Sequence, residues 1–260
     1  MNKNGYKAMF AQVQSVHSAQ PNKLEVIMDN KAKRKFTRRP VLVIAAVALA
    51  VLLSVSAYAI VTLLSPAQVA RESGYTALAA AFEDGKGTRI DETVVSEGYV
   101  FTLMGMTSGK NLLNHTVMDA EKTFIVLSVR REDGQPVTVE NGMPVSFGVF
   151  FEGYKPWQFS SFVLGAGGSV IERDDAFYLV HVIDENIEML ADRTVVFGVW
   201  DTALGFAPSA GLLNMAQDGT ISFAQGLEKP HAMFTLPLDA SKADPARVER
   251  VLGELGLTAD

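Results

Sequence analysis

Histidines are the first side chains to test for chemistry, because an imidazole can bind a metal or exchange a proton near neutral pH. The chain has four of them: His17, His115, His181 and His231. No two stand at the His-x-x-x-His spacing that places two ligands on one helix face. His181 lies between Val180 and Val182 in a strand-like stretch, which favours a hydrogen-bonded or surface-facing histidine over a catalytic one.

Nucleophile and phosphate-binding motifs do not occur in the sequence. The chain has no cysteine, which excludes disulfides, thiolate metal sites and cysteine nucleophiles. It also has no Gly-x-Ser-x-Gly, Ser-x-x-Lys or Gly-x-x-x-x-Gly-Lys motif. The glycine-rich run at 165–168 lacks a strand-to-helix context, so it predicts a hairpin tip. We therefore expect a non-enzymatic protein without a resident cofactor or metal.

Two runs of carboxylates could bind Ca²⁺, since that ion prefers hard oxygen ligands. They are Glu-Arg-Asp-Asp at 172–175 and Asp-Glu at 184–185. Neither run matches an EF-hand loop, so solvated turns are the favoured interpretation.

A group of aromatic residues could line a ligand groove or a partner-binding patch. Its members are Phe147, Phe150, Phe151, Tyr154, Trp157, Phe159 and Phe162. Core packing is the favoured interpretation, because large aromatic side chains are usually buried. Tyr154 and Trp157 stand near a turn signal, so they are the members most expected to be exposed.

The stretch 41–64 has 24 residues without a charge. A helix of that length would span about 36 Å, against a hydrocarbon core of about 30 Å. We therefore predict a transmembrane helix over 41–64. A run of basic residues precedes it: Lys31, Lys33, Arg34, Lys35, Arg38 and Arg39.

This basic run sets the predicted topology. Cytoplasmic flanks carry an excess of Lys and Arg, so the N-terminus is expected in the cytoplasm and the C-terminal part outside. A nucleic-acid or nuclear-localisation role for the run is the weaker interpretation, and we expect no direct nucleic-acid binding. Ala57-Tyr58-Ala59 has the form of a signal-peptidase site. An uncleaved anchor is favoured, because the apolar run continues beyond Ala59 and 40 residues precede it.

The predicted cytoplasmic segment, 1–40, has two apolar stripes at helical spacing. Their main members are Tyr6, Phe10, Val13, Leu24, Ile27 and Met28. Two helices this short cannot bury such stripes alone, so they need each other, a partner protein or a lipid surface. Docking on anionic lipid is one interpretation, and docking on a protein partner is the sharper one.

These features carry a resemblance to a known family. The run Tyr-Lys-Ala-Met-Phe-Ala-Gln-Val from Tyr6 and the run Lys-Leu-Glu-Val-Ile-Met from Lys23 lead into basic residues and an apolar helix. This arrangement resembles the N-terminal segment of bacterial membrane-tethered anti-sigma-factor-like proteins, which carry an extracytoplasmic domain of unknown function. The resemblance covers roughly the first 65 residues. It implies short cytoplasmic helices that bind a sigma factor, with a signal passing through one membrane helix. Because the chain has no cysteine, zinc-type versions are excluded.

The remainder predicts a helical juxtamembrane linker at 65–84, followed by a mainly β domain at 85–260. Apolar alternation predicts strands at 99–106, 123–130, 145–151, 177–183, 194–201, 220–223 and 233–238. This pattern favours an antiparallel, immunoglobulin-like sandwich with short flanking helices. Asp244-Pro245 predicts the start of a C-terminal helix whose apolar face carries Val248, Val251, Leu252 and Leu255.

Three functions are compatible with this organisation. The first is a non-enzymatic single-pass regulator, with an outer domain that senses an envelope signal or partner. The second is an anchored adhesion or scaffold module, whose basic N-terminus serves only topology. The third is an anchored hydrolase, which the absence of a catalytic set disfavours.

Overall fold

The computed structural model of the protein describes residues 63–137, 145–173 and 175–257. The apolar stripes of 1–40, the basic run and all of the predicted membrane helix except Leu63 and Leu64 lie outside these residues. Within the described ranges, no helix combines the length and the apolar character needed to cross a bilayer.

The described residues form ten strands and four α-helices. The strands are β1 (Thr88–Ser96), β2 (Tyr99–Ser108), β3 (Thr123–Arg131), β4 (Val145–Phe151), β5 (Ala166–Arg173), β6 (Ala176–Ile183), β7 (Val195–Asp201), β8 (Leu213–Met215), β9 (Ile221–Phe223) and β10 (His231–Thr235). The helices are α1 (Pro66–Glu72), α2 (Thr76–Glu83), α3 (Val117–Ala120) and α4 (Pro245–Glu254).

Antiparallel pairing joins the strands into two larger sheets and one hairpin. The five-stranded sheet has the order β1-β2-β3-β6-β5, and the three-stranded sheet has the order β10-β7-β4. The strands β8 and β9 form a separate pair. The prediction of a mainly antiparallel β structure with a few short helices is confirmed.

The main core lies between the two sheets, as in a β-sandwich. It contains Ile125 and Leu127 of β3 together with Val149 of β4 and Phe197 of β7. Successive residues of a strand project to opposite faces, so Val126 of β3 packs on the other side of its sheet. The central strand β3 is therefore buried on both faces, which explains its almost continuous apolar sequence.

The outer face of each sheet is also covered. The helices α1 and α2 pack on the five-stranded sheet and form a cluster with residues of β2, β3 and β6. On the other side, residues of the β8–β9 hairpin pack around Phe150 and Trp200 of the three-stranded sheet. The fold therefore has four layers in this order: the helices α1 and α2, the five-stranded sheet, the three-stranded sheet and the β8–β9 hairpin.

The helices α1 and α2 begin and end where the residue types require it. The Ser65 hydroxyl accepts a hydrogen bond from the Gln68 N–H, while the Gln68 side chain accepts one from the Ser65 N–H. Gly74 separates the two helices at a positive φ of 85°, a conformation that glycine adopts without strain. The segment that we predicted as a helical linker is therefore a helical pair within the same compact unit as the strands.

The C-terminal helix forms as predicted, with Asp244 capping its N-terminus and accepting from the Arg247 N–H at 3.0 Å. Val248, Val251 and Leu252 are buried against the inter-sheet core, whereas Leu255 lies beyond the helix at its C-cap.

The prediction of a hairpin tip at 165–168 is wrong. Gly167 and Gly168 lie inside β5 and pair with Val182 and His181 of β6.

One glycine sits where the backbone leaves no room for a side chain. A Cβ added to Gly109 would lie 1.6 Å from the carbonyl oxygen of Asp119. We expect Gly109→Ala to lower the free energy of unfolding by about 3 kcal/mol, because residue 109 and the backbone of Asp119 would have to move apart. Urea denaturation of wild type and variant measures the difference. Gly211→Ala is the matched control, since a Cβ there meets nothing within 4 Å, and it should change stability by less than about 0.5 kcal/mol.

Candidate functional site

The strongest candidate site is a cleft between the edges of the two sheets. The strand β5 ends the five-stranded sheet and β4 ends the three-stranded sheet, and the two do not pair with each other. The gap between them is a cavity of about 300 Å³, which is at the lower end of the range for small-molecule pockets. Its lining residues are Ser146, Phe147, Phe162, Ala166, Gly167, Gly168, Val170, Leu179, His181 and Phe206.

The cleft exists because β5 carries small residues on its inner face. In an antiparallel pair, directly opposite residues project to the same side of the sheet. Gly168 is opposite His181, and Ala166 is opposite Ile183. Ala166 places only a methyl group on this side, which leaves space beside the His181 ring. Gly168 has a different reason, because a Cβ there would lie 2.5 Å from the carbonyl oxygen of Val180 in β6.

His181 is almost fully buried at 1% exposure, and its tautomer follows from its contacts. Its Nδ1 lies 3.1 Å from the carbonyl oxygen of Gly167. A carbonyl can only accept, so Nδ1 carries the hydrogen and Nε2 keeps a lone pair. No partner for Nε2 is found among the described residues. The ring meets Phe147 edge-on at a centroid distance of 4.8 Å and stacks on Phe197 at 5.9 Å.

Burial lowers the pKa of His181 from 6.5 to about 4, and the hydrogen bond to the Gly167 carbonyl opposes this shift only in part. The side chain is therefore neutral near pH 7. A neutral imidazole with an occupied Nδ1 can accept one further hydrogen bond, at Nε2. The prediction of a hydrogen-bonded strand histidine is the alternative that the structure selects, and the surface-facing alternative is wrong.

The remaining described histidines lie apart from this cleft. The Nδ1 of His115 is 2.9 Å from the Leu112 carbonyl oxygen, and that of His231 is 2.7 Å from the Lys229 carbonyl oxygen. Each of these contacts is local in sequence. Across the described ranges, no group of three or more histidine or acidic side chains is placed to hold a metal ion.

The aromatic group divides between core and cleft. Phe150, Phe151 and Phe159 are fully buried, as core packing requires. Trp157 is 39% exposed. Phe147 and Phe162 line the cleft, together with Phe206, which is 74% exposed and has an edge-to-face contact with Phe162 at 6.2 Å. The sequence argument missed Phe206, because an isolated aromatic residue between turn residues shows no periodicity.

The carboxylate runs have different surroundings. Glu185 accepts from the Arg247 guanidinium at 2.6 Å, and the same guanidinium pairs with Glu121. These contacts hold α4 against the loop that precedes β3. The other run lies at the β5–β6 hairpin, where Arg173 is 2.7 Å from Glu72 of α1.

A second functional feature is the place where the chain enters the folded body. The Leu64 N–H donates to Oη of Tyr178 at 3.1 Å, and Leu63 and Leu64 pack partly buried against the helix–sheet cluster. Two residues later α1 begins, and its Val69 and Ala70 are completely buried. The described chain thus has no free spacer between Leu63 and the fold.

The predicted partner-binding and topology residues of 1–40 lie outside the described ranges, so their interpretation stays a prediction. No protein-family model matches the chain, and no curated protein or solved structure is significantly similar to it.

Proposed function

We propose that the protein is a non-enzymatic, single-pass membrane regulator. In this proposal, the predicted helix 41–64 crosses the cell membrane up to its last two residues, Leu63 and Leu64, which pack on the folded body. The segment 1–40 holds a sigma factor in the cytoplasm, and the mainly β body responds to a ligand or protein outside. The immunoglobulin-like arrangement belongs to the proposal too, and two antiparallel sheets around one core support it.

The observation that carries the proposal is the direct entry of the chain into the fold. The end of the predicted membrane helix and the residues that follow it are fixed to the five-stranded sheet by the Leu64–Tyr178 hydrogen bond and by the buried face of α1. A displacement of the sheet therefore moves Leu64, since no flexible segment absorbs it. Such a connection suits a protein that passes a change from its outer body towards the membrane.

An anchored scaffold or adhesion module is the alternative, and an exposed apolar patch favours it. The patch consists of Leu113, Val117 and Met118, with Val117 84% and Met118 75% exposed. Deleting 2–28 separates the two functions. If the protein is a scaffold, the deletion should leave its binding to an outer partner and transcription unchanged. If the protein is a regulator, the deletion should change sigma-dependent transcription.

The cytoplasmic contact can be tested by co-purification of the full chain from membranes. We expect Phe10→Asp together with Leu24→Asp to reduce recovery of a sigma factor at least about tenfold, because each aspartate would place a charge in an apolar contact. Recovery is measured by quantitative mass spectrometry against equal amounts of the chain.

Ser15→Asp together with Asn22→Asp is the matched control. It adds the same two charges on the helix faces opposite the apolar stripes, given a period of 3.6 residues per turn. Recovery equal to wild type is expected. If both double variants retain the sigma factor, or if the wild type recovers none, these stripes are not a sigma-factor contact.

A further inference from the structure

The cleft between β4 and β5 combines an apolar wall with two buried polar atoms that have no partner among the described residues, Nε2 of His181 and Oγ of Ser146. Phe147, Phe162 and Phe206 supply aromatic surface, and Val170 and Leu179 supply aliphatic surface. A cavity of about 300 Å³ accommodates a compound of one or two rings. Its apolar lining excludes a strongly charged ligand, because the described lining residues offer no counter-ion to offset desolvation.

Of the two, Nε2 of His181 can only accept a hydrogen bond, whereas the Ser146 hydroxyl can also donate one. An unpaired acceptor in a protein interior is costly, so natural structures seldom keep one without a reason. Here Nδ1 is already engaged with the Gly167 carbonyl, which fixes the ring and leaves the Nε2 lone pair for a donor. Nε2 itself is buried from solvent, so a lining side chain must shift before a donor can reach it. Phe206, which is 74% exposed, is the lining ring with the most freedom to do so.

We infer that the cleft binds a small, uncharged, largely apolar ring compound whose single N–H or O–H donates a hydrogen bond to Nε2 of His181. The rings of Phe147, Phe162 and Phe206 enclose the ring compound, and the small side chain of Ala166 leaves space for it. The identification of this compound with the outer signal rests on the proposed function, whereas the binding itself rests only on the cleft.

Indole and indene are the probes that test this inference. They have the same fused-ring shape, but only indole carries an N–H donor. The full chain is embedded in lipid nanodiscs, and equilibrium dialysis measures binding after subtraction of the uptake by empty nanodiscs. We expect indole to bind about tenfold more tightly than indene, since one hydrogen bond in a dry site gives a difference of that order.

Two variants assign the contact. His181→Phe keeps an aromatic ring but removes the acceptor, so the preference for indole over indene should fall to about one. Ala166→Leu fills the cleft from an exposed position of β5, so binding of both probes should be lost. In histidine ¹⁵N spectra, indole should shift one Nε2 resonance, which is the resonance absent from His181→Phe.

Three results would overturn the inference: no binding of either probe, equal binding of both by the wild type, or a preference for indole that survives His181→Phe. None of these depends on the cytoplasmic partner. Conversely, loss of the sigma-factor contact in the co-purification experiment leaves the cleft measurement intact, so the two proposals fail separately.

Discussion

Replacing Val69 by aspartate should release α1 from the five-stranded sheet. Val69 is completely buried between the helix and the sheet. An unpaired carboxylate in such a place costs about 3–5 kcal/mol. The chain can recover its hydration by moving α1 into solvent, while the inter-sheet core, which contains no residue of α1, stays folded. The expected result is local detachment of the helix.

Trypsin cleavage after Arg71 measures this detachment, because Arg71 lies in α1 and a protease requires an unfolded segment. We expect cleavage of Val69→Asp to be on the order of 100-fold faster than that of wild type, from the population arithmetic of a 3 kcal/mol loss. Fluorescence of the buried Trp200 should stay unchanged.

Gln68→Glu is the matched control for this experiment. It adds one negative charge on the exposed side of the same helix and preserves the capping box, in which glutamate serves as well as glutamine. If trypsin cleaves Val69→Asp after Arg71 no faster than it cleaves the wild type, the direct coupling of α1 to the sheet is contradicted.

The second large effect is a dependence of stability on pH that comes from His181. The pKa of His181 is about 4 in the folded protein, compared with an ordinary value of 6.5. Between these values the unfolded chain binds a proton that the folded chain excludes, so the free energy of unfolding falls as the pH falls from about 6.5 to about 4. The full difference is about 3 kcal/mol, and about 2 kcal/mol of it is lost by about pH 5.

His181→Phe should remove this dependence, because phenylalanine does not titrate. The measurement is urea denaturation of both proteins at a series of pH values, followed by Trp200 fluorescence. The difference in unfolding free energy between wild type and variant should be constant above about pH 7 and shift by about 2 kcal/mol in favour of the variant at about pH 5. A difference that does not vary with pH would mean that His181 is not kept neutral by burial. Groups that titrate alike in both proteins, such as Asp133 with its pKa lowered to about 2 by Arg131, cancel in this comparison.

Much of the fold follows from local sequence signals. The segment 65–84 is predicted to be helical, and α1 and α2 form there, on either side of Gly74. The apolar residues of β3 and β6 likewise predict strands, and both strands form, inside the five-stranded sheet. In these segments, local preference and tertiary packing favour the same conformation.

The two edge strands of the five-stranded sheet could not be predicted in the same way. Most residues of β1 and β5 are exposed, so their sequences carry little apolar alternation, and the glycines of β5 favour a turn on local grounds. Both strands exist because a neighbour supplies a ladder of hydrogen bonds.

The cleft depends on tertiary structure still more strongly. It requires Gly168 to be opposite His181 and the edges of β4 and β5 to face each other without pairing. Strand order and register determine both conditions, and neither can be derived from the residue pattern of one chain. The sequence nevertheless identified His181 as a strand residue that is either hydrogen-bonded or surface-facing, because its neighbours Val180 and Val182 indicate the strand.

We propose that one membrane-crossing segment, predicted at 41–64, separates a cytoplasmic 1–40 from the folded body outside. Protease treatment of intact cells tests it, with one epitope fused to the N-terminus and another to the C-terminus. We predict that protease removes the C-terminal epitope while a fragment with the N-terminal epitope and 1–40 survives. A C-terminal epitope that is protected in intact cells but destroyed after permeabilisation, or a body recovered from the medium without 1–40, would contradict the claim.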